Sequence, residues 1–147
     1  MKVMFDTNVF NHIEEGSIDL DVIPKEWEPI ATHLQFDEIG KTPDSHAAKR
    51  ERMLEIFQNI VVLRVPTENV VLDVSRWGEA KFGDENSLFE PIRRAMDEKK
   101  RKASNTVEAL IAETCIKNRY LLVTNDRTLK SVAELFGCEV TDLAIGK

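Results

Sequence analysis

An α/β fold of three layers (α/β/α), with helices on both faces of a central, mostly parallel sheet, is predicted by three features of this 147-residue sequence. Short apolar or β-branched runs recur along the chain. Stretches of helical periodicity lie between them, long enough for the crossovers that parallel strands require. No linker, repeat or low-complexity segment interrupts the pattern, so residues 1–147 read as a single domain.

Taken in order, Val3-Met4-Phe5 is a short buried strand, and Asp6-Thr7-Asn8 can cap a helix built on Val9, Phe10 and Ile13. Residues 14–28 read as a polar loop. Ile30-Ala31-Thr32 is a second strand, leading into a short helix through Leu34 and Glu38 that Gly40 and Pro43 end. A helix starts at Asp44-Ser45, with Met53, Ile56, Phe57 and Ile60 as its buried stripe. Residues 61–65 are β-branched and stopped by Pro66, the clearest strand in the sequence. The next helix runs from about Glu68 to near Gly83, with Val70, Val71, Val74 and Trp77 inward. Another covers about residues 86–102 on Leu88, Ile92, Ala95 and Met96. A third, Thr106 to Asn118, has the stripe Val107, Leu110, Ile111, Thr114 and Cys115. Tyr120 to Val123 is a strand, Thr124-Asn125-Asp126 a turn, Arg127 to Phe136 a helix closed by Gly137, and Glu139-Val140-Thr141 a last short strand.

With 42% hydrophobic and 31% charged residues, the composition is that of an ordinary globular domain. No apolar run approaches the ~20 residues that span a bilayer. Met1 to Asp6 contains no secretory signal, and only two cysteines are present, so a cytoplasmic setting with free thiols is expected. A net charge of −6 is unlike the basic surface of a simple nucleic-acid binder; any phosphodiester handled here needs bound cations beside it.

In open parallel sheets, ligands bind beyond the carboxyl ends of the strands. Asp6 directly follows the first strand, and Asp126 closely follows the one ending at Val123. Glu38 lies on the helix after the second strand, and Glu108 in the first turn of the helix leading to the Asp126 strand. Four carboxylates would converge on one pocket. Like charges so placed repel and raise one another's pKa unless a cation compensates. Hard oxygen donors select Mg²⁺ or Mn²⁺, and no Cys/His spacing suits zinc. Metal-assisted phosphodiester hydrolysis is the chemistry such a site fits best. Each acid also has a bland reading: Asp6 and Asp126 as helix caps, Glu38 as a solvated helix residue, Glu108 as a favourable charge in a first turn. The basic run Arg93-Arg94 and Lys99-Lys100-Arg101-Lys102 is a solvated helical face first and an RNA-backbone contact second. The three histidines are scattered, and neither cysteine has a partner for nucleophilic catalysis.

The segments Val3-Met4-Phe5-Asp6-Thr7-Asn8, Gln35-Phe36-Asp37-Glu38-Ile39, Val107-Glu108-Ala109-Leu110-Ile111-Ala112 and Leu122-Val123-Thr124-Asn125-Asp126-Arg127 together resemble the PIN-domain family, in family order along the whole chain. Many members are VapC-type toxins of toxin–antitoxin pairs that cut RNA with Mg²⁺ or Mn²⁺. The resemblance implies that Asp6, Glu38 and Asp126 are metal ligands, that Thr124 and Asn125 shape the site, and that Asn8 supports it. The family usually has Asp where this chain has Glu108, which keeps the charge and adds a methylene. Glu113 is a possible substitute, but five residues along a helix is about 140° off the face of Glu108, and Glu108 is preferred. An RNA substrate, a small antitoxin covering the acidic pocket and a homodimer through the helices at about 44–60 and 68–82 are likewise implied. The rival reading is a catalytically silent interaction domain of the same fold. A phosphotransferase built on Asp6 is set aside because Asn8 stands where its second Asp belongs.

Overall fold

In the computed structural model, residues 1–68 and 87–144 are described. Five strands form one sheet: β1 (Lys2–Phe5), β2 (Glu28–Ala31), β3 (Leu63–Arg64), β4 (Leu121–Val123) and β5 (Val140–Thr141). Each pairing of these five strands is parallel, in the order β3-β2-β1-β4-β5, in line with the expected mostly parallel sheet. Six helices flank it among the described residues: α1 (Thr7–Glu14), α2 (His33–Gly40), α3 (Ala47–Ile60), α4 (Phe89–Lys99), α5 (Asn105–Asn118) and α6 (Arg127–Leu135).

The three layers follow from strand alternation, because successive side chains point to opposite faces. Val3, Phe5, Ala31, Leu121 and Val123 pack with α1 and α3, through Val9, Phe10, Met53 and Phe57. Met4, Ile30 and Leu122 face the other way, onto α4, α5 and α6 through Ile92, Met96, Leu110, Ile111 and Val132. An aromatic chain from Phe5 through Phe10 to Phe57 and Phe36 fills the first layer, with Trp27 edge-on to Phe5 at 6.4 Å. Trp27 is thus a lid on that core.

Several boundaries differ from the sequence-based expectation. The run at 61–65 pairs through Leu63–Arg64, and Val62 and Leu63 are exposed; among the described residues β3 has a neighbouring strand on one side alone, so the run's β-branched residues are only partly used. Thr32 is not a strand residue but the N-cap of α2. The polar loop holds a 3₁₀ turn at Leu20–Val22, and a second such turn, Asp44–His46, precedes α3. The helix expected over 86–102 spans only Phe89–Lys99. The expected stripe on α5 is incomplete as a description: everything from Val107 to Cys115 is buried, since α5 lies beneath both α4 and α6 against the sheet. The helix expected from about Glu68 to Gly83, with Trp77, lies outside the described residues. No helix among those described is long and apolar enough to cross a membrane.

α5 ends at Arg119, which adopts the left-handed conformation (φ 58°) although it is not glycine. Its side chain is exposed, so little packing is lost when it is removed. Arg119→Gly is expected to raise stability by about 1 kcal/mol, read as a higher urea midpoint at unchanged slope.

Candidate functional site

β1 and β4 lie side by side with Phe5 opposite Val123, so the residues that follow them leave the sheet together. The Asp6 N–H donates to the Val123 carbonyl at 2.9 Å, extending the ladder one step beyond the strands. Thr124 then joins the two acids: its hydroxyl donates to Asp6 Oδ2 at 3.0 Å and accepts the Asp126 N–H at 3.0 Å. Asp6 occupies the N-cap position of α1, yet its side chain does not cap that helix. Asp126 does cap α6; its Oδ1 accepts from the Thr128 and Leu129 N–H groups at 2.9 and 3.1 Å, leaving Oδ2 for other partners.

The other two acids arrive on helices. α2 starts in a capping box in which Gln35 Oε1 accepts the Thr32 N–H at 2.9 Å and Thr32 Oγ1 accepts the Leu34 N–H. Gln35 Nε2 also donates to the Phe5 carbonyl, 3.2 Å away, which ties α2 to the end of β1. One turn on, Glu38 Oε1 accepts the Thr7 hydroxyl at 2.6 Å. From α5, Glu108 Oε1 accepts Lys102 Nζ at 3.2 Å and lies 3.4 Å from the Ser104 hydroxyl. Its Oε2 is buried with no hydrogen-bond partner. Lys102 Nζ reaches Asp126 Oδ2 as well, at 2.8 Å. Asp6, Thr7, Asn8, Glu38, Lys102 and Glu108 line one cleft of about 480 Å³.

Burial dominates the electrostatics of this cleft. Asp6 is pushed up to about 6, chiefly by desolvation and further by Glu38 and Asp126, against the Thr124 hydrogen bond. Glu108 rises to about 7, again by desolvation first and then by the charge of Asp6, despite Lys102. Glu38 is also raised by burial. For Asp126, burial pushes upward but is outweighed by the Lys102 hydrogen bond and the capping N–H groups, so its carboxyl is lowered.

The fold therefore brings Asp6, Glu38 and Glu108 around one cleft, and Asp126 is joined to it through Thr124 and Lys102. Among the described residues, however, no three acidic, imidazole or thiol groups stand close enough to hold an ion as they are placed, and an ammonium occupies the gap between Glu108 and Asp126. The donor chemistry suits a hard cation: carboxylate oxygens, one of them buried and unpaired. Glu113 is fully buried and spent elsewhere, its Oε2 accepting the Leu88 and Phe89 N–H groups at 2.6 and 3.1 Å at the start of α4.

Thr124 shapes the site directly. Asn125 instead clasps the C-terminal segment, donating to the Leu143 carbonyl at 2.9 Å and accepting its N–H at 3.2 Å. Asn8 lines the cleft from an exposed position, and the neighbouring Thr7 makes the bond to Glu38. Arg93 is paired on the α4 surface with Glu90 and Asp97, and it and Arg94 line a separate shallow cleft with Arg101. Lys99 and Lys100 are exposed at the end of α4. Sequence reasoning missed Lys102, Thr7 and Gln35. Lys102 was legible only as part of a basic run; the capping pattern Thr32-x-x-Gln35 was a usable signal for Gln35.

No protein-family model and no curated protein matches the sequence. Solved structures do share the fold. A chain of VapBC2 from Rickettsia felis, bound to a DNA fragment from its promoter, superposes with a TM-score of 0.60 at 16% identity, over 97% of this chain and 99% of that one. A chain of VapBC-5 from Mycobacterium tuberculosis, of the VapBC family of toxin–antitoxin systems, gives 0.54 at 16% identity, over 98% of each chain. A domain of a functionally unknown protein from Methanocaldococcus jannaschii DSM 2661 gives 0.51 at 15% identity, over 99% of this chain and 93% of that one. The three-layer α/β/α fold expected from the PIN-domain resemblance is the fold of this chain.

Asp6 and Glu108 both titrate above their ordinary values of 3.8 and 4.5. Their protonated forms stabilise the fold at low pH, and this contribution is lost as pH rises through about 6 and about 7. Asp126, held low, acts in the opposite sense and loses its contribution as pH falls. In metal-free buffer the Tm is expected to fall from about pH 5 to about pH 7.5. Asp6→Asn and Glu108→Gln should each flatten that fall in a thermal-melt pH series.

Proposed function

We propose that the chain is a PIN-type, metal-dependent endoribonuclease and the toxin half of a toxin–antitoxin pair. The observation that carries this reading is a cleft lined by Asp6, Glu38 and Glu108, with Asp126 joined to it through Thr124 and Lys102 and one buried Glu108 oxygen left without a hydrogen-bond donor. An isolated buried acceptor of this kind costs about 1–3 kcal/mol unless something fills it. A divalent cation is the partner that such a set of acids would share.

Asp6, Glu108 and Asp126, with Glu38, would hold Mg²⁺ or Mn²⁺. Such an ion supplies an acidified water and neutralises charge on a phosphodiester. The chain's own residues prepare the site around it. Thr124 orients Asp6 and fixes the Asp126 backbone, Thr7 orients Glu38, and the α6 cap immobilises one Asp126 oxygen while leaving the other to the cleft. With a net charge of −6, the chain depends on the bound ion to draw a polyanion such as RNA.

The VapBC likenesses support an antitoxin partner; a basic side chain of that partner entering the acidic cleft, and a cytoplasmic setting, belong to the same proposal. A homodimer through α3 belongs to the same reading; the second helix of that expected surface lies outside the described residues. The alternative, a silent interaction domain of this fold, is favoured by one observation: the chain's own lysine already neutralises Glu108 and Asp126.

Purified protein, freed of any bound partner, is expected to cleave RNA in Mg²⁺ or Mn²⁺ and to stop in EDTA. Thr124→Val keeps all four acids and should lower metal affinity or activity about 10- to 100-fold; Asp6→Asn and Asp126→Asn should cost more. RNA left intact across a panel of structured and unstructured substrates, with no Mn²⁺ heat in calorimetry, would leave the silent domain.

A further inference from the structure

Lys102 is presented to the acids by a built loop. Residues 100–104 join α4 to α5, and the buried Asn105 pins them: its Nδ2 donates to Asp97 Oδ1 at 2.8 Å and to the Lys100 carbonyl at 2.9 Å, while its N–H donates to the Lys102 carbonyl at 3.1 Å. The backbone at 102 is thus held, and the side chain extends into the cleft with about a quarter of its surface exposed (28%). Its ammonium lies 3.2 Å from Glu108 and 2.8 Å from Asp126, whose side chains are 5% and 16% exposed. No other lysine or arginine ion pair among the described residues joins two of the four acids.

We propose that Lys102 is a tethered counter-cation: it occupies the gap between Glu108 and Asp126 in the metal-free protein, and a divalent ion enters by displacing it. The inference rests on the metal reading above and adds what that reading lacks, the occupant of the site before the ion arrives. Leaving the two carboxylates uncompensated is costly at this depth, so the lysine stabilises the empty fold. The same contact opposes the ion, because an ammonium within hydrogen-bond distance of two ligand carboxylates both repels a dication and competes for their lone pairs. Metal binding is then an exchange of one cation for another, and its affinity is set partly by a residue that is not a ligand. Lys102 acts as a positioning and regulatory residue rather than a catalytic one.

Calorimetry with Mn²⁺ alone, without RNA, tests this on the full chain. Lys102→Met keeps the aliphatic stem and removes the charge; it is expected to bind Mn²⁺ about tenfold more tightly than the wild type. Lys49→Met is the control for charge alone, since Lys49 lines the same cleft but pairs with Glu14 and Glu15. It is expected to shift affinity less than about twofold. In EDTA the Lys102→Met protein should melt below the wild type and gain the larger rise in Tm on adding Mn²⁺. Mn²⁺ binding by the wild type that Lys102→Met leaves unchanged or weaker, or that Lys49→Met tightens equally, overturns the counter-cation and leaves the metal site standing. Absence of binding to both the wild type and Lys102→Met overturns both.

Discussion

Asp6 places a carboxylate at the end of the central strand, where it is only 2% exposed, and much of the neighbouring structure answers that single burial. The Thr124 hydroxyl reaches it from the adjacent strand and in the same stroke accepts the backbone N–H of Asp126. Gln35 clamps the carbonyl just before it, which brings α2, and with it Glu38, to the same edge. Asp6, Asp126 and Glu38 are therefore tied in through neutral hydroxyl and amide groups, and Glu108 is joined to Asp126 through the Lys102 ammonium, rather than through one another. That arrangement brings like charges close without asking any to give up its only hydrogen bond.

Two buried glutamates on α5 show how differently the fold treats the same side chain. Glu113 accepts two backbone N–H groups at the start of α4 and has Lys117 4.0 Å away; its charge is consumed in holding one helix against another. Glu108, five positions earlier, is given one lysine, a distant serine and an oxygen with nothing to accept. A carboxylate fully satisfied by its own protein has no capacity left for chemistry. One kept half-satisfied retains it, and burial pushes its pKa up.

Much of this was legible in the sequence because the relevant signals are local. A short apolar run followed by Asp-Thr-Asn, and another followed by Thr-Asn-Asp, mark the carboxyl ends of β1 and β4 without knowledge of the sheet order. The four acids of the proposed site were singled out this way or by helix register. The missed features are those that only tertiary packing decides. Lys102 belongs to a run of basic residues of which the others are solvent-facing or surface-paired, and only the Asn105 clamp turns this one inward. α5 carries Glu108, Glu113 and Thr114 among its buried residues, so its periodicity suggests a stripe where the structure covers every side. Residues 61–65 are as β-branched as a central strand, yet a strand's place in the sheet is not written in its own composition.

The sheet order also bears on how the molecule comes into being. β1, near the start of the chain, lies at the centre of the sheet, with Met4 beside Ile30 on one flank and Leu122 on the other. The first flank follows β1 closely in sequence, whereas the second comes only after β3, α4 and α5. Until β4 emerges from the ribosome, Asp6 has no Thr124 to donate to it, and β1 presents a bare edge. Pairing across 118 residues is a late, slow event in chain collapse. The acidic centre therefore assembles only once β4 is in place beside β1, after every element from α1 to α5 has been made.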